Sequence, residues 1–284
     1  MTLSPTAFGL GPLPGTDLVQ AADVVLSESP LPHLPQLPDR GVGSDLIGRT
    51  AALLEIPVAP GPRGWRVAAR KRGLADQMDR DLDLLEELWH GKVDVVKVQV
   101  VGPLTLASLV EKPNGHRMIT DPGAFRDLTE ALLHACEEHR ADVARRFGAT
   151  VLQLDEPQLP AVMAGSLKGT TDFDTIRAIP EPEEILQRFG EHLLNTAALV
   201  DVPWITVDPR RAEKDALARL LDGGTRIAIP TMQPRELFNL FDELQIDPAE
   251  TQIDVYASPA ETLVGTAKNY NAARQMYEEL AATR

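Results

Sequence analysis

Short apolar runs alternate with longer amphipathic segments along almost the whole chain, and this repetition limits the fold more than any other feature. The apolar runs at residues 7–10, 93–101, 150–154, 204–207, 226–229 and 252–256 read as buried strands. One or two further strands are expected within 28–70, where prolines and glycines blur the pattern. Helical spacing marks 16–27, 43–54, 73–90, 122–147, 182–200, 210–222, 234–244 and 260–282. The longest of these carries its own boundary signals: Asp121 as N-cap, Pro122 in the first turn, and Gly148 beyond the last turn. Between them Phe125, Leu128, Leu132, Cys136, Val143 and Phe147 form one apolar stripe.

Strand and helix in regular alternation predict a parallel sheet with crossover helices. About seven or eight such units fit an α/β fold of the (β/α)8 TIM-barrel type, here as a single domain over residues 1–284. An open doubly wound sheet is the alternative, but no GxGxxG follows a strand and no GxxxxGK[ST] is present. The proline-rich stretch at 30–38, PLPHLPQLP, is expected to be a long loop wrapping the barrel end in polyproline fashion.

In such a barrel the active site lies at the C-terminal ends of the strands, so the residues following each strand matter most. They include GLGPLPGT (9–16), VGPLT (101–105), DEP (155–157), VDP (207–209), PTMQP (230–234) and ASPAET (257–262). The sharpest of these is VLQLDEP, an apolar strand that ends in two adjacent carboxylates. Successive strand residues point to opposite sides, so Asp155 and Glu156 should diverge, with Asp155 directed into the mouth. A carboxylate there can hold an ammonium group, ligate a cation, or act as a base where burial raises its pKa. Glu156 is a second binding candidate, or with Pro157 fixes the turn. Gly11 and Gly102 are glycines that could let backbone approach a flat ligand, while Thr105 and Thr16 are polar neighbours in the same loops. Thr16 is equally a helix N-cap candidate.

Charge narrows the partners. The chain carries 42 acidic and 28 basic residues, a net charge of −14, which opposes binding to nucleic acid or an anionic membrane. A single cysteine, Cys136, forms no intramolecular disulfide, sits on the apolar stripe of the long helix, and suits a reducing compartment. The first residues lack a basic segment followed by an apolar run, and no stretch reaches the roughly 20 apolar residues of a membrane span. A cytoplasmic protein acting on a small molecule is the expectation.

Taken together, GLGPLPGT, VKVQVVGPLTL and VLQLDEPQLP resemble the catalytic barrel of cobalamin-independent methionine synthase, and more closely its short single-barrel relatives, which share a superfamily with uroporphyrinogen decarboxylase. The resemblance implies a (β/α)8 methyltransferase that moves a methyl group from methyl-folate to the homocysteine thiol, with zinc activating that thiol. It implies that Asp155 holds the substrate's amino group, that 102–105 shape the methyl-donor side, and that 10–16 line the amino-acid end. Pro12 stands where the family usually has serine. The family takes zinc from a His-x-Cys after the fifth strand, a glutamate after the sixth and a cysteine after the seventh. The corresponding stretches here read Thr206-Val207-Asp208, Ile229-Pro230 and Ser258-Pro259-Ala260-Glu261. The oxygen donors Asp208 and Glu261 suit hard cations better than zinc, so zinc is not expected and no residue is assigned as a metal ligand.

Three functions follow: family-related methyl transfer, a metal-free decarboxylase- or lyase-like reaction in the same barrel, or non-catalytic binding. In the last, Asp155, Asp208 and Glu261 attract an amine or amino acid. Arg210 and Arg211 could meet an anionic group, although their place in the first turn of a helix accounts for them.

Overall fold

The computed structural model describes residues 4–70, 73–169, 175–179 and 181–282. In chain order its elements are β1 (Ala7–Phe8), α1 (Leu18–Glu28), α2 (Leu46–Leu53), β2 (Val58–Gly61), β3 (Gly64–Val67), α3 (Leu74–Trp89), β4 (Val95–Val101), α4 (Pro103–Leu109) and β5 (Val110–Glu111). There follow α5 (Pro122–Phe147), β6 (Ala149–Asp155), α6 (Leu159–Met163), α7 (Pro182–Gln187), β7 (His192–Asn195), β8 (Trp204–Thr206), α8 (Lys214–Asp222), β9 (Arg226–Pro230), α9 (Pro234–Leu244), β10 (Ile253–Tyr256) and α10 (Leu263–Ala282). None of the described helices is long and apolar enough to cross a membrane.

Helix α5 forms where its capping residues direct. Asp121 accepts hydrogen bonds from the amides of Gly123 and Ala124, and Gly148 ends the helix at φ 103°. Leu128, Leu132, Ala135, Val143 and Phe147 are buried along one face. Truncating a residue such as the fully buried Leu132 to alanine costs about 2–5 kcal/mol. In α3, Met78, Leu82, Leu85 and Trp89 recur at three- and four-residue steps and bury the same kind of stripe.

The main sheet has seven strands in the order β1-β10-β9-β8-β7-β6-β4, every neighbouring pair parallel. Its strands divide their side chains between two cores, as a period of two requires. Val96, Val98, Val100, Leu152, Leu154, Ile227 and Val255 pack into the large core under the helices. Phe8, Leu31, Leu193, Trp204 and Ala228 form a second, smaller cluster on the opposite face, with Val95 and Val151 against it. Lys97, Gln99, Gln153, Asp155, Asn195 and Thr206 therefore follow that second face toward the C-terminal strand ends.

Three expectations require correction. Residues 30–38 do not wrap the barrel end: 31–36 run between β1 and β4, the two outer strands of the sheet order. Leu31 N–H donates to the Ala7 carbonyl, Gln36 N–H to Gly11, and Leu34 N–H to Lys97, while the Pro32 carbonyl accepts from Lys97 N–H. Prolines 32 and 35 lack a donor, but intervening residues supply the N–H groups and the prolines leave their carbonyls available.

The second correction concerns 182–200, which is not one helix. It divides into α7 and β7, and Gly190 at φ 68° separates them. The third concerns the first helix: α1 is capped by Asp17 rather than Thr16. A short helix that the spacing did not mark, α4, begins directly at Pro103 after Gly102. Residues 58–67 form the β2–β3 hairpin, which joins β5 in a separate three-stranded sheet.

Candidate functional site

At the C-terminal ends of the main strands lies a cavity of about 1020 Å3, and Asp155, the last residue of β6, lines it. The carboxylate is held by two neutral amides: Gln153 Nε2 and Asn195 Nδ2 each donate to Asp155 Oδ1 at 2.7 Å. Asn195 ends β7, in register opposite Asp155, so parallel pairing itself brings the two side chains together. No protein group among the described residues donates to Oδ2. Burial raises the pKa of Asp155, and the two amide donors and the charge of Lys97 oppose that rise.

Behind Asp155 the polar chain continues into the sheet. The Lys97 ammonium bonds Gln153 Oε1, and Lys97 is fully buried with Nζ 5.1 Å from the centre of the Phe8 ring. Burial lowers the Lys97 pKa, against the pull of Asp155. On the other side, Thr206 Oγ1 donates to Asn195 Oδ1 at 3.2 Å, tying β8 to the same network. Four strands, β4, β6, β7 and β8, thus share one hydrogen-bonded row, Lys97–Gln153–Asp155–Asn195–Thr206, whose central carboxylate borders the cavity.

Glu156 turns away from that space and does not line the cavity. It is fully buried, and its carboxylate accepts from the amides of Leu104 at 2.9 Å and Thr105 at 2.7 Å. It therefore satisfies the first turn of α4, whose N-cap Gly102 has no side chain to do so. Burial pushes its pKa up to about 7 despite these donors. Gly102 is glycine because a Cβ there would lie 2.3 Å from Glu156 Oε1. The close approach is to this carboxylate, not to a flat ligand. Thr105 is buried too, and its hydroxyl accepts from Gln158 N–H. Gly102, Thr105 and Glu156 thus form one structural lock beside the site.

The remaining candidates separate. Asp208 lines the cavity, but its carboxylate is paired with Arg210 at 2.9 Å, which lowers its pKa. Arg210 and Arg211 lie in the turn before α8, which starts at Lys214. Gly11 adopts φ 125° beside the lining residues Leu10 and Pro12, with the amides of Gln99 and Gln36 packed against it. Thr16 and Glu261 are exposed and do not line the cavity. Cys136 is buried in α5, and burial pushes its thiol up to about 12.

The chain is similar in fold to a methionine synthase. A solved structure of a B12-independent methionine synthase from Shewanella sp. W3-18-1, in complex with selenomethionine, matches it with a TM-score of 0.58 at 10% sequence identity, covering 100% of both chains. No family model matches the chain, and no curated protein matches it by sequence.

With β7 in place, the strand count used above shifts by one, so Trp204–Thr206 follows β7 rather than β6. The loop that comes after β7 begins Thr196-Ala197 and carries no histidine or cysteine before β8. The residues lining the cavity include neither residue type. Among the described residues, no group of three or more His, Cys, Asp or Glu side chains could hold a metal ion.

Sequence reasoning missed Lys97, Gln153 and Asn195. For the first two the signal was available: in VVKVQVV and VLQLD, polar residues recur at every second position of otherwise apolar strands. Asn195 was hidden because Ile185, Leu186, Phe189, Leu193 and Leu194 also satisfy helical spacing.

Proposed function

We propose that this protein is a methyltransferase-like (β/α)8 barrel whose mouth binds a small amino acid or amine, with Asp155 as counter-charge to the ammonium group. In this reading residues 31–36 serve as the eighth stave, between β1 and β4. The observation that carries the proposal is the Asp155 carboxylate. It ends a strand, its Oδ1 is held by Gln153 and Asn195, and it borders a cavity large enough for such a molecule. Leu10, Leu199 and Val207 supply apolar wall around it for an aliphatic or thioether side chain. The similar solved structure was obtained with selenomethionine, an α-amino acid of this kind.

The residues at the mouth do not fit zinc. The acidic side chains lining it are oxygen donors, and Asp208 is already engaged by arginine. A metal-bound thiolate therefore has no part in this reading. What this chain's own residues supply is recognition: a fixed carboxylate for the amine, an apolar wall for the side chain, and partial exclusion of water. The same donor set favours metal-free chemistry or binding alone as the second reading.

Calorimetric titration with L-methionine, L-homocysteine and butylamine tests the proposal. Wild-type protein should bind at least one of them, and Asp155→Asn should weaken binding by about tenfold or more, as expected for loss of a buried charge-assisted contact. Equal affinity in the variant would sink the role given to Asp155. Stoichiometric zinc in the purified protein, or zinc-dependent methylation of homocysteine, would overturn the metal-free part.

A further inference from the structure

We infer that Lys97 is a positioning residue for Asp155, acting through Gln153 to aim that carboxylate and keep it charged before any ligand arrives. The inference rests on the reading of Asp155 as the ligand's counter-charge.

The geometry leaves little freedom. Gln153 Nε2 donates to both the Leu10 carbonyl, at 2.8 Å, and Asp155 Oδ1, at 2.7 Å. Both partners only accept, so the amide nitrogen must face them, and Oε1 must face the other way. The group in that direction is the Lys97 ammonium, which only donates. Each of the three partners thus fixes the same amide orientation. β4 and β6 hold the pieces in place, since Lys97 pairs in register with Val151 and Gln99 with Gln153.

Lys97 makes no direct ion pair with Asp155. A direct pair would neutralise the carboxylate and compete with a ligand's ammonium for it. With one amide interposed, the positive charge still acts on Asp155 while Oδ2 is left unbonded by the protein. Lys97 itself is fully buried and does not line the cavity, so it acts on the site from behind.

Other titratable groups surround the pair. His33 lies near Lys97 on the 31–36 segment, but burial keeps it neutral, with its pKa lowered to about 3. Glu156 lies beside Asp155, whose charge adds to the rise in the Glu156 pKa. Asp208, Tyr256 and Tyr270 line the cavity, with Arg211 at its rim. Among the described residues, Lys97 is the one cation whose charge favours ionisation of Asp155.

The test uses ligand-free protein, so it stands whether or not methionine binds. The carboxyl carbon of Asp155 is followed by NMR in 13C-aspartate-labelled protein, assigned by its disappearance in Asp155→Asn. In Lys97→Met the titration midpoint of Asp155 should rise by about one pH unit or more, because both the cation and the anchored amide are lost. Lys97→Arg should recover part of that shift. An unchanged midpoint in folded Lys97→Met, checked by circular dichroism, would reduce Lys97 to a packing role and overturn the inference. If Lys97→Met does not fold, Gln153→Met decides the matter: it should raise the same midpoint, and an unchanged value there also overturns the inference. Failure of amine binding with a shifted midpoint would instead count against the ligand reading alone.

Discussion

Two buried cation–carboxylate arrangements lie on the same face of the sheet, and they are built differently. Near the start of the strands, Arg226 of β9 meets Asp254 of β10 directly, through Nε at 2.7 Å and Nη2 at 2.8 Å. The Thr6 amide donates to the same carboxylate, the Arg226 guanidinium also reaches the Ser4 carbonyl, and it lies 4.1 Å from the centre of the Trp204 ring. Near the strand ends, Lys97 and Asp155 are kept apart by Gln153. The first arrangement satisfies both charges internally. The second leaves carboxylate capacity facing a cavity. A bidentate pair saturates its own hydrogen bonds, whereas a bridged pair keeps a charge on hand for something else.

Removing one partner of the direct pair should have the largest effect on stability. Arg226→Met leaves Asp254 buried without its cation and should cost about 3–5 kcal/mol in urea denaturation. A loss below about 1 kcal/mol would mean that the two arrangements do not differ as described.

Next in size is the lock beside the site. Glu156→Ala abandons two buried amides of α4 and should cost roughly 3 kcal/mol. Burial raises the pKa of Glu156 from 4.5 to about 7. The stability linked to that shift is present below 4.5 and lost as pH rises through about 7. The gap between wild type and Glu156→Ala should therefore narrow from pH 4.5 to pH 7.5, as calorimetry at several pH values would reveal.

The bridged pair should show its difference in binding rather than folding. Burial lifts Asp155 to about 6, so amine affinity should fall as pH drops below that value and the carboxylate is neutralised. Affinity that is flat between pH 5 and 8 would contradict this. The smallest effect belongs to the rim: the Arg211 side chain is 88% exposed and 3.7 Å from Asp208, so Arg211→Ala should leave the melting temperature within measurement error.

Much of the framework was legible because it is local. The span of α5 follows from Asp121, Pro122 and Gly148, and that of α9 from its proline start and amphipathic spacing. Asp155 was legible as a candidate because a carboxylate that ends an apolar strand is unusual on sequence grounds alone. Thr16, Gly102, Thr105 and Glu156 also follow strand ends, but that position in the sequence did not put them against the cavity. For Glu156 the reason is specific: the α4 amides sit where its side chain points and outcompete open space. β7 was obscured because its apolar residues also match a helical period, and only pairing with β6 and β8 selects the strand.

By itself the sequence determined the alternation of strands and helices, the long capped helix, and the acidic end of β6, since each depends on residues near one another in the chain. Tertiary structure decided three other things. It brought 31–36 between β1 and β4, turned Glu156 toward α4, and aligned Lys97, Gln153, Asp155 and Asn195 across three strands. Each of these arrangements depends on residues far apart in sequence, and the alignment across strands is set by parallel register, which no single strand encodes.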